Sequence, residues 1–326
     1  MSSSTSSIET HPGPPTAGPD LRVRLADDLE LANPVMPASG CFGPELAPLL
    51  DLRALGAVVT KTVFPGVRSG NSAHRLTDTA HGMLNSVGIP SPGSESFRNG
   101  LLRDYQRSGA PVVVSIGGLR VPEYWEIAAA LADEDVAAFE VNVSCPNLEH
   151  GGLAIGTSPT LVTETVIGVR ERIRRPLIVK LTPAVTAIRD VAKAAEAAGA
   201  DALTVCNSFP ALAVDAFTRR SALGNGGGGL TGPAIKPLAL RLVREAAAAV
   251  DIPIIGCGGI GTAVDVAEFL IAGASAVQVG TATFTRPDTM TRIIDDLAPL
   301  CERLGLRRLS DLVSTLDSPV PDRSTR

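Results

Sequence analysis

Pro253-Ile254-Ile255-Gly256-Cys257-Gly258-Gly259-Ile260-Gly261 runs into a helix-like stretch at 262–272, and Val277-Gln278-Val279-Gly280-Thr281-Ala282 follows it. The pattern is strand, glycine turn, helix, strand and a second glycine turn. Nearly continuous aliphatic runs of this kind suit strands buried on both faces of a parallel sheet. Working outward, similar runs occupy 34–39, 57–63, 112–117, 138–145, 177–182 and 202–207, which with 253–258 and 276–281 makes eight. Helix-like segments follow most of them, at 121–133, 159–174, 188–198, 233–250, 263–272 and 288–304. Eight strands alternating with helices predict an α/β fold, a single (β/α)8 barrel spanning 20–317. A doubly wound sheet is the alternative, because strand order is not written in a sequence. Residues 23–31, with Asp27-Asp28 at their centre, predict a hairpin that closes the bottom of the barrel. The stretch 64–110 is too long for a plain crossover and predicts an insertion over the C-terminal face of the strands.

Composition narrows the function. The chain has 326 residues, 44% of them hydrophobic, with 34 acidic against 29 basic residues and a net charge of −5. A protein that works by phosphate-backbone contacts needs a basic face, so nucleic acid and anionic membrane are poor partners. Only 3% of residues are aromatic, which leaves few stacking platforms for single strands. The five cysteines, Cys41, Cys145, Cys206, Cys257 and Cys301, are scattered and never form a C-x-x-C pair. That spacing argues against a disulfide framework or a metal site and for a reducing, cytoplasmic compartment. Residues 1–19 and 318–326 are rich in small and polar residues, and read as flexible tails without a signal peptide.

Polar residues stand where a barrel interior is normally aliphatic. In Phe139-Glu140-Val141-Asn142-Val143-Ser144-Cys145 the alternation puts Glu140, Asn142 and Ser144 on one face and the apolar residues on the other. The apolar face should meet the helices, which turns the polar set inward. Lys61, Lys180 and Asn207-Ser208 also fall near strand C-terminal ends, where barrel active sites lie. A buried ammonium is costly without an anion or acceptor, so each lysine predicts a partner or a ligand. The glycine turns after the seventh and eighth runs predict a phosphate cradle, helped by the dipole of the helix beginning near Thr262. Cys145, ahead of Pro146, sits where a thiol could act as a base if its surroundings favour thiolate. Each of these residues could instead be an internally paired structural group.

Several segments share one pattern: Thr60-Lys61-Thr62, Met83-Leu84-Asn85-Ser86-Val87-Gly88, Glu140 through Asn147 with His150-Gly151-Gly152, Val179-Lys180-Leu181, Gly228-Gly229-Leu230-Thr231-Gly232-Pro233-Ala234-Ile235-Lys236-Pro237, and both glycine turns. Together, over 23–313, they resemble the class 1 dihydroorotate dehydrogenases, and more closely their NAD-linked (1B) branch. The resemblance implies FMN at the barrel mouth with dihydroorotate stacked on it. The thiol matching Cys145 would take a proton from C5 of the substrate while hydride leaves C6 for the flavin. Substrate contacts are implied for Lys61, Asn85, Ser86, Val87, Gly88, Ile89, Asn142, Asn147, Asn207 and Ser208. FMN contacts are implied for Ala38, Ser39, Gly40, Lys61, Thr62, Asn142, Lys180, Val205, Gly229, Gly232, Gly256, Gly258, Gly259, Gly280 and Thr281. Lys180 would face the flavin N1–C2=O edge, where reduction places negative charge.

The branch implies a separate iron–sulfur subunit carrying FAD, a homodimeric core and no membrane anchor. Three other readings stay open at this point. One is a paralogue acting on another pyrimidine-like ring, suggested by Ser91 and the glycine-rich 221–229 loop. The others are a non-redox phosphate-sugar isomerase or synthase, and a non-catalytic partner-binding barrel.

Overall fold

The computed structural model describes residues 18–144 and 155–317. The eight runs are strands: β1 (Val35–Pro37), β2 (Val58–Val59), β3 (Val112–Ile116), β4 (Ala138–Asn142), β5 (Leu177–Leu181), β6 (Ala202–Val205), β7 (Ile254–Cys257) and β8 (Ala276–Val279). They are parallel neighbours in the order β1-β8-β7-β6-β5-β4-β3-β2. Across the remaining gap the Gly56 N–H donates to the Val35 carbonyl at 2.9 Å. A Cβ at position 56 would overlap the Asn33 carbonyl oxygen, so only glycine lets this seam close. The sheet curls onto itself as a (β/α)8 barrel, which replaces the doubly wound alternative.

Alternation divides the barrel into an oily jacket and an interior of two characters. Val112, Val114, Phe139, Val141, Leu177, Val179, Leu203 and Val277 point outward into the core shared with the helices. Met36, Val59, Val113, Ala138, Ile178, Ala202, Ile255 and Ala276 point inward at the bottom and join a separate cluster with Val23, Leu25, Leu29 and Leu31. Those four belong to the antiparallel hairpin Val23–Ala26/Leu29–Leu31, which plugs the floor as expected. Nearer the mouth the inward positions turn polar: Ser115, Glu140, Asn142, Lys180, Thr204 and Gln278 are all buried.

The helices follow the predicted order, with small differences at their ends. Ala263–Ala272 is representative: a Thr262/Asp265 capping box starts it, and Gly273 at φ 119° ends it in the left-handed region. Its Phe269 is fully buried against Gly256, where a Cβ would overlap the ring. The predicted helix at 233–250 divides into a 3-10 turn, Pro233–Ile235, and the helix Lys236–Ala247.

Two excursions cover the mouth. The one at 64–110 contributes Leu76–Thr79 and Gly82–Asn85, and a second, between β6 and Lys236–Ala247, contributes Phe209–Ala211 and Gly228–Thr231. These pair into one four-stranded antiparallel sheet, with Gly229 opposite Asn85. Among the described residues no helix is long and apolar enough to cross a membrane.

The hairpin plug yields a stability prediction. Leu25 is 1% exposed, and Leu25→Ala should destabilise the fold by about 2–5 kcal/mol through lost transfer and a residual cavity. Urea unfolding checks this; a loss under ~1 kcal/mol would show that the hairpin does not complete the core.

Candidate active site

Strand β2 is shorter than its sequence run because the chain bulges after Val59. Thr60 N–H still donates to the Val113 carbonyl at 3.0 Å, and pairing resumes where Val63 N–H meets the Ser115 carbonyl at 2.8 Å. The residues between them swing Lys61 out of the wall to the rim of a cleft at the C-terminal end of the barrel. Partial desolvation, and then the Arg75 cation, hold its ammonium below the usual lysine range.

Deeper in the cleft lies Lys180 on β5, 3% exposed. Its Nζ donates to Gln278 Oε1 at 2.7 Å, and Gln278 Nε2 donates to Glu140 Oε2 at 2.5 Å. Thr204 Oγ1 donates to the same Glu140 oxygen at 3.0 Å. Glu140 Oε1 lies 4.0 Å from Lys180 Nζ and has no hydrogen-bond partner among the described residues. Burial acts most strongly and works against the Lys180 charge, but Glu140, followed by the Cys257, Cys41 and Cys206 sulfurs, acts the other way, and the net direction is above the ordinary lysine value.

A second polar chain runs around the mouth. Asn142 Nδ2 donates to Thr62 Oγ1 at 2.9 Å, and the Thr62 and Ser115 hydroxyls are 2.9 Å apart. Ser144 Oγ donates to Asn142 Oδ1 at 2.6 Å and accepts from Asn207 Nδ2 at 2.9 Å. Asn85 reaches in from the covering sheet, its Nδ2 held by the Gly229 carbonyl at 3.1 Å. The result is a set of amides and hydroxyls whose orientations are fixed before any ligand arrives.

The cleft, open to solvent, gathers most of the residues expected at the site. Lys61, Asn85, Val87, Gly88, Ile89, Asn142, Asn207 and Ser208 line it, as do Ala38, Ser39, Gly40, Thr62, Lys180, Gly232, Gly258, Gly259, Gly280 and Thr281. Cys145 and Asn147 lie outside the described residues. Four expected residues are absent from the lining. Ser86 is fully buried and accepts from Asn71 Nδ2 at 2.9 Å. Val205 faces the helix layer. Gly229 serves the covering sheet, where a side chain would overlap Ser208. Gly256 serves the packing of Phe269.

The expected phosphate cradle needs one correction. At the start of Ala263–Ala272 the Gly261 and Thr262 N–H groups already donate to Asp265 Oδ2, at 3.0 and 2.9 Å. That helix end is capped from within, and its dipole is not free for a phosphate. What remains for an anion is the pair of turns. Gly258 and Gly259 have φ of 137° and 75°. A Cβ on them would meet Ala239 and Lys236 at 2.8 Å. The turn after β7 therefore needs glycine and brings bare backbone to the cleft, the type of surface that receives a phosphate.

Sequence reading passed over Cys41, Cys206 and Cys257, which also line the cleft. Burial pushes the Cys41 thiol up to about 11, and raises Cys206 and Cys257 as well, so they are neutral at physiological pH. It also passed over Ser115, Thr204 and Gln278. The alternation that marks Glu140 marks these too, as single polar residues at inward positions of aliphatic strands.

A sequence profile for the family described as dihydroorotate dehydrogenase matches residues 21–300. The chain is 46% identical over 288 residues to a Desulforudis audaxviator protein named dihydroorotate dehydrogenase B (NAD(+)), catalytic subunit, covering 87% of this chain and 94% of that one. A Pelobacter propionicus protein of the same name is 44% identical over 302 residues, covering 92% and 99%. A Solibacter usitatus protein, provisionally named dihydroorotate dehydrogenase A (fumarate), is 47% identical over 291 residues, covering 88% and 96%.

The inner network predicts a coupled stability effect. Lys180→Met leaves the Glu140 carboxylate buried without its cation and should cost about 3–5 kcal/mol. Adding Glu140→Gln should restore most of that loss, and chemical denaturation of both variants tests it. Equal instability of the single and double variants would show that the two groups are not coupled.

Proposed function

The chain belongs to the dihydroorotate dehydrogenase family, and we propose that it oxidises dihydroorotate to orotate, with FMN held in the cleft at the barrel mouth. One observation carries the reading: a buried, internally matched ammonium opens onto the same cleft as three preset amides, Asn85, Asn142 and Asn207. A flat anionic ring needs directional donors and acceptors, and a group that gains negative charge on reduction needs a fixed cation.

The cleft suits FMN on its own chemistry. Lys180 would hold the pyrimidine edge of the flavin, and the turns at Gly258-Gly259 and Gly280-Thr281 would take the phosphate. When bound, FMN supplies the two-electron acceptor for hydride leaving C6 of the substrate. Lys61 at the rim would meet the substrate carboxylate, and the amides would fix the ring in plane. Cys145 would take the C5 proton on its Sγ. The other cleft thiols are poor bases, because burial keeps them protonated.

For the electron acceptor we propose a separate iron–sulfur subunit carrying FAD and passing electrons to NAD, with this chain forming a homodimeric core in the cytoplasm. The support for a partner subunit and for NAD is that the Desulforudis and Pelobacter proteins are named catalytic subunits of an NAD-linked enzyme; the iron–sulfur centre, FAD, the homodimer and the compartment rest on the resemblance to that branch. The Solibacter name favours a second reading, direct transfer to fumarate. Anaerobic reduction by dihydroorotate followed by reoxidation with fumarate, or with NAD plus the partner subunit, distinguishes the two.

The purified chain should be yellow, and anaerobic dihydroorotate should bleach it. Cys145→Ala should keep its flavin and lose the rate of that bleaching by ~100-fold to 10,000-fold, as expected for removal of a general base. Stopped-flow absorbance measures it, and bleaching at the parent rate would remove Cys145 from the mechanism.

A further inference from the structure

The proposed reaction gives Glu140 no task, yet the residue is fully buried inside the barrel. Burying a carboxylate is costly unless something answers its charge. Its Oε2 is held by Thr204 from β6 and Gln278 from β8, at 3.0 and 2.5 Å, while its Oε1 accepts no hydrogen bond from a described residue and faces Lys180 Nζ at 4.0 Å. An ionised carboxylate can only accept, so it compels Gln278 to turn its Nε2 toward Glu140 and its Oε1 toward Lys180. The amide therefore relays the carboxylate's polarity to the ammonium.

The other titratable groups that favour the Lys180 charge are thiols, each acting less strongly than Glu140. Cys41 follows β1, Cys206 follows β6 and Cys257 ends β7, and burial keeps all three thiols neutral. The remaining neighbours on facing strands, Asn142, Thr204 and Gln278, do not titrate. Lys61, at the rim, is another cation. Glu140 is thus the one anion placed against Lys180 among the described residues.

We infer that Glu140 is a positioning residue for flavin binding: it keeps Lys180 protonated and aimed into the cleft, so that recognition of the flavin's electron-rich edge persists at alkaline pH. The inference rests on the reading that the cleft holds FMN. Without the carboxylate, a lysine this buried sheds its proton as pH rises, and the donor becomes a neutral amine. The sign follows: the loss of affinity is small where Lys180 can still hold its proton and grows above that point.

The test titrates the full-length, flavin-stripped chain with FMN by fluorescence quenching, comparing the parent with Glu140→Gln between about pH 6 and about pH 9. Taking the ratio of dissociation constants at each pH cancels the titration of the FMN phosphate itself. The ratio should stay within about threefold at the acid end and reach at least about tenfold at the alkaline end, while Glu140→Asp, which keeps the charge, stays near the parent throughout. A ratio that is flat with pH, whether near one or uniformly large, would overturn the inference, since a purely structural defect has no reason to follow the lysine's titration. Should Glu140→Gln fail to fold, Gln278→Leu severs the relay without touching the cleft lining, and its ratio must rise with pH in the same direction or the inference falls. A parent chain that binds no FMN at any pH would instead sink the functional reading from which the inference starts.

Discussion

A cation placed inside a β-barrel must be matched by groups inside the same barrel, because solvent cannot reach it to screen the charge. Here the match is assembled from four strands: Glu140 on β4, Lys180 on β5, Thr204 on β6 and Gln278 on β8. Three of these, on β4, β6 and β8, follow the alternate-strand layering of such barrels, but with polar side chains in place of branched aliphatic ones. No pair of adjacent strands could build the network alone. It exists only when the sheet has curled far enough to carry Gln278 on β8 across to Glu140 on β4, 138 positions away in the chain.

The division of the interior explains why the fold tolerates this. Below Glu140 the inward positions are apolar and sealed by Leu25, Leu29 and Leu31. Above it they are polar and open toward the cleft. Folding energy comes from the floor and the helix jacket, and the upper storey is left free to be arranged for chemistry. The polar chain from Ser115 through Thr62, Asn142 and Ser144 to Asn207 satisfies itself internally, so its groups stay oriented without a ligand.

The barrel was legible in the sequence because each strand is a short aliphatic run and each helix an amphipathic one, both local signals. Glu140, Asn142 and Lys180 were legible for the same reason, as polar interruptions at inward positions. The interruption of β2 was not. A bulge between Val59 and Val63 depends on the hydrogen bonds offered by β3, and nothing in Thr60-Lys61-Thr62 announces it. Nor was the covering sheet, whose central pairing joins Asn85 to Gly229 across 144 positions. Gly228 and Gly229 read as loop residues, yet they are strand positions kept bare because Asn85 and Ser208 approach so closely. Gly256 carries a second constraint that its place beside a glycine turn does not announce: a side chain there would overlap Phe269 on the helix behind it.

The glycine turn after β7 shows how packing and recognition can compete for one helix end. A carboxylate at a helix N-terminus occupies the place a phosphate would take and repels an anion nearby. Asp265 is such a carboxylate, accepting from Gly261, Thr262 and the Thr262 hydroxyl. Its charge does not stand alone: Lys236 Nζ donates to Asp265 at 2.6 Å and to Glu268 at 2.7 Å. Burial acts to raise the Asp265 carboxyl, but Lys236 and the capping amides outweigh it and hold it below the usual range, so it remains a firm acceptor. Lys236 also packs beneath Gly259, where a Cβ would sit 2.8 Å from its own. One lysine thus screens the cap and supports the turn. The helix contributes rigidity here, and the backbone of Gly258 and Gly259 is left as the surface that can meet an anion.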